Sequence, residues 1–358
     1  LWTGEKIIEA VDGRTVGGVA GDLEGVSIDS RTIRPGELFI AIRGDRFDGH
    51  DFVARAFENG AGAAIVSERE VHRFDPAPGP LVVVGDVMVA LAALGQAARD
   101  RATGRIIGVT GSVGKTGTKE ALRVALGKSG TTHASVASFN NHWGVPLSLA
   151  RMPPDTEFGV FEMGMNAPGE IAALTVLVRP EVAIITTIAP VHLAFFRTVE
   201  DIADAKAEIF ESMQPGGAAI LNVDNAHFAR LAAKAEERGL NVVSFGESES
   251  AMARARRVTL HPDCSCVAAD ILGIEVTYKL GTPGRHLVLN SLAVLAAAKL
   301  VGADLAKAAM ALAELKPPEG RGAQFELKLP HGRATLLDES YNANPVSMRA
   351  AIELLGQL

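Results

Sequence analysis

The sequence is short of cysteine, of long apolar runs and of concentrated positive charge, and each shortage excludes a class of protein. Only two cysteines occur in 358 residues, Cys264 and Cys266. They are too few and too close to frame a disulfide fold. One C-x-C pair does not make a metal site either, so they read as free thiols of a reducing compartment. No uninterrupted apolar stretch approaches the ~20 residues a membrane helix needs, so no membrane insertion is expected. The opening Leu1-Trp2-Thr3-Gly4-Glu5-Lys6 lacks the basic-then-apolar pattern of a signal peptide. A cytoplasmic location is the expectation. Asp and Glu number 42 against 35 Lys and Arg, a formal net charge of −7. Without a basic run there is no footprint for nucleic acid. Small anionic ligands stay open, because local loops bind them against the global sign.

What is present is the profile of a globular chain, 47% hydrophobic and 22% charged. Its length predicts two or three domains. Strand-like runs at 26–28, 38–42, 63–66 and 81–84 alternate with helical stretches at 51–60 and 87–101. Ala102-Thr103-Gly104 is a plausible joint. A second α/β region then begins with the apolar run Arg105–Val109, with further strands at 159–161, 182–185, 219–221 and 242–245. Near-continuous apolar strands alternating with helices predict a parallel sheet covered on both faces. Residues 253–280 break that rhythm and read as a β-rich insert, followed by helices over 287–315. Lys316-Pro317-Pro318-Glu319-Gly320 is the clearest linker. Beyond it stand a strand pair (325–329 and 333–337), a polar loop and a helix from about 346. Roughly forty residues make no stable domain unaided. The expected division is therefore 1–103, 104–315, and 316–358 as the unfinished start of a third domain in a longer natural protein.

The most informative stretch is Thr110-Gly111-Ser112-Val113-Gly114-Lys115-Thr116, between a predicted strand and helix. Backbone N–H groups of such a loop cradle phosphate oxygens, and the helix N-terminus adds a favourable dipole. Lys115 would reach the outer phosphates and the Thr116 hydroxyl would ligate Mg²⁺. A strict Walker A pattern wants glycine five positions before Gly114, where Val109 stands. The plain alternative is a Gly-rich turn that binds nothing. Glu162 ends the next strand, at the rim where parallel sheets bind ligands. Beside a phosphate loop it is a natural Mg²⁺ ligand; the alternative is a helix-capping acid ahead of Pro168. His192 and Lys206 say less alone. A lone histidine is more often structural, and spacing alone makes Lys206 a surface lysine paired with Glu208 or Asp204.

The form T-G-[ST]-x-G-K-T resembles the phosphate loop of the Mur ligases and of their relatives, the folylpolyglutamate and cyanophycin synthetases. Glu162-Met163-Gly164-Met165, with Gly169-Glu170-Ile171, is similar to the family's E-M-G-x-x-x-x-G-E-I element. His192, followed by Ala205-Lys206-Ala207-Glu208-Ile209, resembles its second metal-binding element, in which the lysine is commonly carbamylated. Thr187 and Ala189 stand where the family often has Asn and Gly. Gly284–Asn290 resembles a G-x-H-x-x-x-N element that would bring Asn290 to adenine. Gly320-Arg321-Gly322 resembles a linker whose arginine reaches the ATP phosphates. The run Asp338-Glu339-Ser340-Tyr341-Asn342-Ala343-Asn344-Pro345 is similar to D-D-S-Y-N-A-N-P of one branch, with Asp338 at the ribose and Glu339 replacing the second Asp. Asp29-Ser30-Arg31, Arg34–Phe39 and Arg43–Phe52 resemble the domain that holds UDP-sugar in the tripeptide-handling members. Asn140-Asn141-His142-Trp143-Gly144-Val145-Pro146 resembles a loop that faces the peptide, although Trp143 and Phe139 equally suit a core.

The resemblance implies a three-domain α/β protein with a central P-loop parallel-sheet domain and a Rossmann-like third domain, here truncated. It implies an ATP-dependent amide ligase joining D-alanyl-D-alanine to UDP-N-acetylmuramoyl-tripeptide through an acyl phosphate, as a monomer. ATP would be bound by Thr110 to Thr116, Asn290, Arg321 and Asp338. Two Mg²⁺ ions would be held by Thr116, Glu162, His192 and a carbamylated Lys206. Ser30, Arg31 and Asn141 would hold the substrate. The catalytic set would be Lys115, His192 and Lys206. Sister ligases that add one amino acid, or a P-loop module without ligase chemistry, are the alternatives. A chain ending at Leu358 is expected to bind nucleotide-sugar and ligate poorly.

Overall fold

A computed structural model describes residues 1–18, 21–191, 195–317 and 320–356. His192 and two members of the expected linker, Pro318 and Glu319, lie outside the described residues. The chain divides into two compact units: residues 1–103 with 139–156, and residues 104–138 with 157–358. Two features differ from the expected division. Residues 139–156, expected within 104–315, belong to the first unit, and residues 316–356 fall within the second.

The first unit is built on a five-stranded sheet in the order Arg14–Val16, Leu81–Val84, Ala63–Ser67, Glu37–Ile40 and Gly25–Ser27. It is parallel except for its first pairing. The helix Val87–Arg101 starts where the Asp86 carboxylate accepts the Met88 and Val89 amides. Three hydrogen bonds tie residues 139–156 into this unit. The Trp2 indole donates to the Ala150 carbonyl, Arg151 to the Val26 carbonyl and Arg101 to the Met152 carbonyl. Buried Leu147 and Ala150 join its core, and Phe139 and Trp143 pack against it. No local sequence pattern carries that assignment, because the partners lie up to 148 positions away.

The second unit holds a nine-stranded sheet in the order Ile274–Leu280, Ser265–Ile271, Ala253–Leu260, Asn241–Gly246, Ala218–Asn222, Val182–Ile185, Arg105–Thr110, Phe158–Glu162 and Thr132–Ala134. The β-rich insert is thus no separate piece. Its first strand pairs parallel with Asn241–Gly246, and the next two extend the sheet antiparallel. The helices Lys115–Leu126 and Arg285–Leu300 supply Leu122 and Leu292 to a core with Ile107, Ile184 and Ile220. Each such side chain contributes about 1.5–3 kcal/mol on burial. Strand order reverses around Arg105–Thr110, which is where open α/β sheets place ligands. Among the described residues, no helix is long and apolar enough to cross a membrane, and both cysteines are free.

Candidate active site

Register brings the site together. Glu162 lies opposite Val109, and Ile185 opposite Thr110. The phosphate loop, the Glu162 carboxylate and the loop from Thr186 therefore leave one rim of the sheet. Backbone geometry then shapes the phosphate loop. Gly111 has φ +146°, and a Cβ there would stand 1.9 Å from Thr186 Oγ1. Gly114, at φ +89°, leads into the helix Lys115–Leu126, and its Cβ would meet the Asn290 amide at 2.6 Å. Only glycine suits either position, and Asn290 is thereby placed over the loop.

The loop is fastened to its neighbour as well. The Ser112 amide donates to the Thr187 carbonyl (2.8 Å). The Ser112 hydroxyl donates to the Ala189 carbonyl and accepts from the Ala189 amide (3.1 and 3.0 Å). The Thr186 hydroxyl donates to the Val113 carbonyl at 2.6 Å. The Asn225 amide donates to Thr187 Oγ1 and the Ile188 carbonyl, both at 3.0 Å. The two residues that depart from the family pattern are thus held: Thr187 through its side chain, Ala189 through its backbone.

The charged groups are desolvated. Lys115 Nζ donates to the Gly111 carbonyl at 2.8 Å. Burial pulls its ammonium below the ordinary range, Glu162 opposes that fall, and Arg321 adds to it. Thr116 is buried, with its hydroxyl 3.4 Å from Ser138 Oγ. Glu162 is 1% exposed. Lys206 is 1% exposed too, which overturns the surface reading. Burial drives its ammonium well below the ordinary range; the positive charge of Lys115 adds to this and Glu208 opposes it. The partners that spacing offered it are engaged elsewhere. Asp204 forms a fork with Arg230 (2.7 and 2.6 Å). The Glu208 carboxylate accepts the Gly169 and Ala172 amides (2.7 and 3.1 Å) at the start of the helix Glu170–Val178, a helix-capping contact.

The remaining expected residues divide between the units. Arg321 donates to Ser138 Oγ at 3.2 Å and lies 4.5 Å over the Tyr341 ring. The Gly322 amide donates to the Asp338 carbonyl at 2.8 Å, so Asp338 sits on the facing strand of the hairpin that Arg321 precedes. Hydrogen bonds from Ser340 hold the Asp338 carboxyl below its ordinary value. Thr110, with Oγ1 buried and unpartnered among the described residues, ends the strand beneath the loop. Ser30, Arg31 and Asn141 belong to the first unit. There Arg31 forks onto Asp29 (2.9 and 2.7 Å), Ser30 accepts the Asn59 amide through its carbonyl, and Asn141 Oδ1 accepts the Gly144 amide. Sequence reading missed Ser138, Asn225 and the capping role of Glu208. A serine or asparagine in a loop gives no signal of a partner 183 or 38 positions away.

Hydroxyl and carboxylate oxygens are the hard donors that Mg²⁺ prefers. Buried Thr116 and Glu162 at a phosphate loop fit that ion. An unmodified lysine amine does not.

Two family models match this chain: the Mur ligase middle domain over residues 109–298 and the Mur ligase family catalytic domain over residues 22–101. The UDP-N-acetylmuramoyl-tripeptide–D-alanyl-D-alanine ligase of Escherichia coli is 36% identical over 94% of this chain and 72% of its own length. The protein of that name from Rickettsia prowazekii is 34% identical over 93% and 73%. A crystal structure of MurF from Acinetobacter baumannii superposes with a TM-score of 0.86 at 32% identity, covering all of this chain and 77% of that one. MurF ligase from Thermotoga maritima in complex with ADP superposes at 0.75 with 29% identity, over 93% and 75%.

Proposed function

The chain belongs to the Mur ligase family and is an ATP-dependent ligase, and from that premise we propose that it joins D-alanyl-D-alanine to UDP-N-acetylmuramoyl-tripeptide. The observation that carries the reading is the placing of Lys115 and Thr116 after the Gly-rich loop, of a buried Glu162 at the adjoining strand end, and of a buried Lys206 on which the Lys115 charge acts. The D-Ala-D-Ala ligases named above, and the run Asp338–Pro345, support the choice of branch. The tripeptide carboxylate is activated as an acyl phosphate. The dipeptide amine then attacks its carbonyl carbon, and phosphate leaves.

In phosphoryl transfer the charge spreads over the phosphoryl oxygens, so positioning and electrostatics dominate. Lys115, Arg321 and the loop amides from Gly111 to Thr116 would hold that charge. Asn290 would face adenine and Asp338 the ribose. Thr116 and Glu162 would hold one Mg²⁺, which neutralises phosphate charge when bound. His192 and Lys206 would hold a second. We assign Lys206 to carbamylation. Burial lowers the cost of deprotonating the Lys206 ammonium; the neutral amine is the form that adds to carbon dioxide, releasing a proton to solvent, and the product is an oxygen ligand. In the first unit, Ser30, Arg31 and Asn141 would hold the nucleotide-sugar, making residues 1–103 with 139–156 the UDP-sugar domain. The rest of 104–315 would then serve ATP, and 316–358 would begin a third domain.

The test is ATP-dependent phosphate release with the tripeptide nucleotide, with and without D-Ala-D-Ala, followed by product mass. Release that needs the dipeptide and yields the pentapeptide is expected. Turnover with a single amino acid instead would overturn the choice of branch.

A further inference from the structure

Lys119 is completely buried, yet no expected site includes it. It stands one turn beyond Lys115 on the phosphate-loop helix. Its ammonium donates to the Ser135 carbonyl (2.7 Å) and the Ala137 carbonyl (2.8 Å), and it pairs with Glu120 Oε1 at 2.7 Å. An ammonium has three donors, and these three acceptors match them. Burial would raise the Glu120 carboxyl, but Lys119 and Arg123 outweigh it and hold Glu120 below its ordinary value.

A buried cation is costly unless paired and hydrogen-bonded. An apolar side chain at this position would pack the helix without that cost, so the charge calls for a use beyond packing. The loop it grips provides one. Ala137 has φ +47°, an unfavourable conformation for a residue with a Cβ. The next residue is Ser138, whose hydroxyl lies 3.4 Å from Thr116 Oγ1 and accepts from Arg321 at 3.2 Å. Arg321 also acts electrostatically on Lys115. Residues 135–138 thus carry the side chain that links the phosphate-loop hydroxyl to the distant arginine.

We propose that Lys119 is a positioning residue of the nucleotide site, whose ammonium fixes the 135–138 loop so that Ser138 stands between Thr116 and Arg321. The inference rests on the ATP-ligase reading above. It is tested by Mg-ATP affinity, measured by titration calorimetry on the intact chain, alongside the thermal midpoint. Lys119→Met is expected to weaken binding by the folded protein about tenfold or more, the scale of a lost charged hydrogen bond. Lys119→Arg should recover part of that loss. Ser138→Ala alone should weaken binding to a similar degree, and adding Lys119→Met to it should change little further, because the two act through one contact. A lower thermal midpoint with unaltered affinity would overturn the inference, as would effects of the two substitutions that simply multiply. If Lys119→Met does not fold, Ser138→Ala decides, and unaltered affinity in that variant overturns the proposal. An unsubstituted chain that fails to bind Mg-ATP would overturn the ATP reading, and this inference with it.

Discussion

Two sets of charged residues, one in each unit, are held in opposite ways. In the first, the Arg31 side chain is 73% exposed and its partner is a neighbour two positions away, Asp29. In the second, Glu162, Lys119 and Lys206 are almost wholly buried, and the Lys119 ammonium reaches the Ser135 and Ala137 carbonyls, 16 and 18 positions away. The same unit charge acts weakly in water and strongly in a desolvated site. The first arrangement suits capture of an anionic ligand under screening by salt. The second suits charge that develops during a reaction. The difference also marks which residues a single substitution should cripple.

The sharpest test of this contrast is Lys206→Ala. Removing a desolvated group from the phosphate site should cut turnover on the order of 10²–10³-fold. Short-chain carboxylates should restore part of the rate if the native side chain is carbamylated. Steady-state phosphate release with and without acetate checks both, and an indifferent variant would break the contrast.

A middle-sized effect should come from the first unit, where the half-buried Asp48 carboxylate beside the buried His50 serves the fold. The Ser67 amide donates to His50 Nε2 (2.9 Å), so the His50 proton is on Nδ1 and is donated to Asp48 Oδ1 (2.6 Å). Burial would raise the Asp48 carboxyl. Arg43, the His50 amide and the His50 ring outweigh it and hold the group well below the ordinary carboxylate range. A depressed carboxyl adds stability that is present above the unfolded value and is lost as pH falls through the folded one. Asp48→Asn should therefore cost about 2 kcal/mol at neutral pH, with the gap to the parent closing in strong acid. Urea unfolding at pH 7 and at acid pH reads this. A gap that widens in acid would contradict the assignment.

The smallest effect is expected at the exposed pair. Arg31→Ala should weaken nucleotide-sugar binding by about tenfold or less, more at low salt than at high salt, with kcat nearly unchanged. Calorimetry at two ionic strengths checks it. A salt-independent loss would place Arg31 with the buried groups.

Much of the parallel sheet was legible in the chain, for a local reason. Buried strands such as Val182–Ile185 and Leu81–Val84 are continuous apolar runs, and the Gly-rich loop fixes a strand-to-helix turn by its φ angles. The sequence gives no sign of the short helix Gly4–Val11, capped by Thr3, or of the helix Gly144–Ala150, which begins within the last three residues of the expected peptide-facing loop Asn140–Pro146. At the site, Lys115, Thr116 and Glu162 could be named because loop and strand-end chemistry is local. Lys206 could be named by resemblance, but its burial could not be, since its helix shows charged neighbours on both sides in the sequence.

By itself the sequence determined the alternation of strands and helices, the phosphate loop and the set of residue types that the chemistry requires. These follow from side-chain periodicity and backbone preference, which act over a few residues. Only the tertiary structure decided that residues 139–156 leave the unit that surrounds them in the chain, that the insert 253–280 extends the main sheet, and that Lys119 and Lys206 are buried rather than solvated. Those outcomes depend on which distant surfaces exclude water together, and on which far-off carbonyls are left to be paired. No window of the sequence holds both partners.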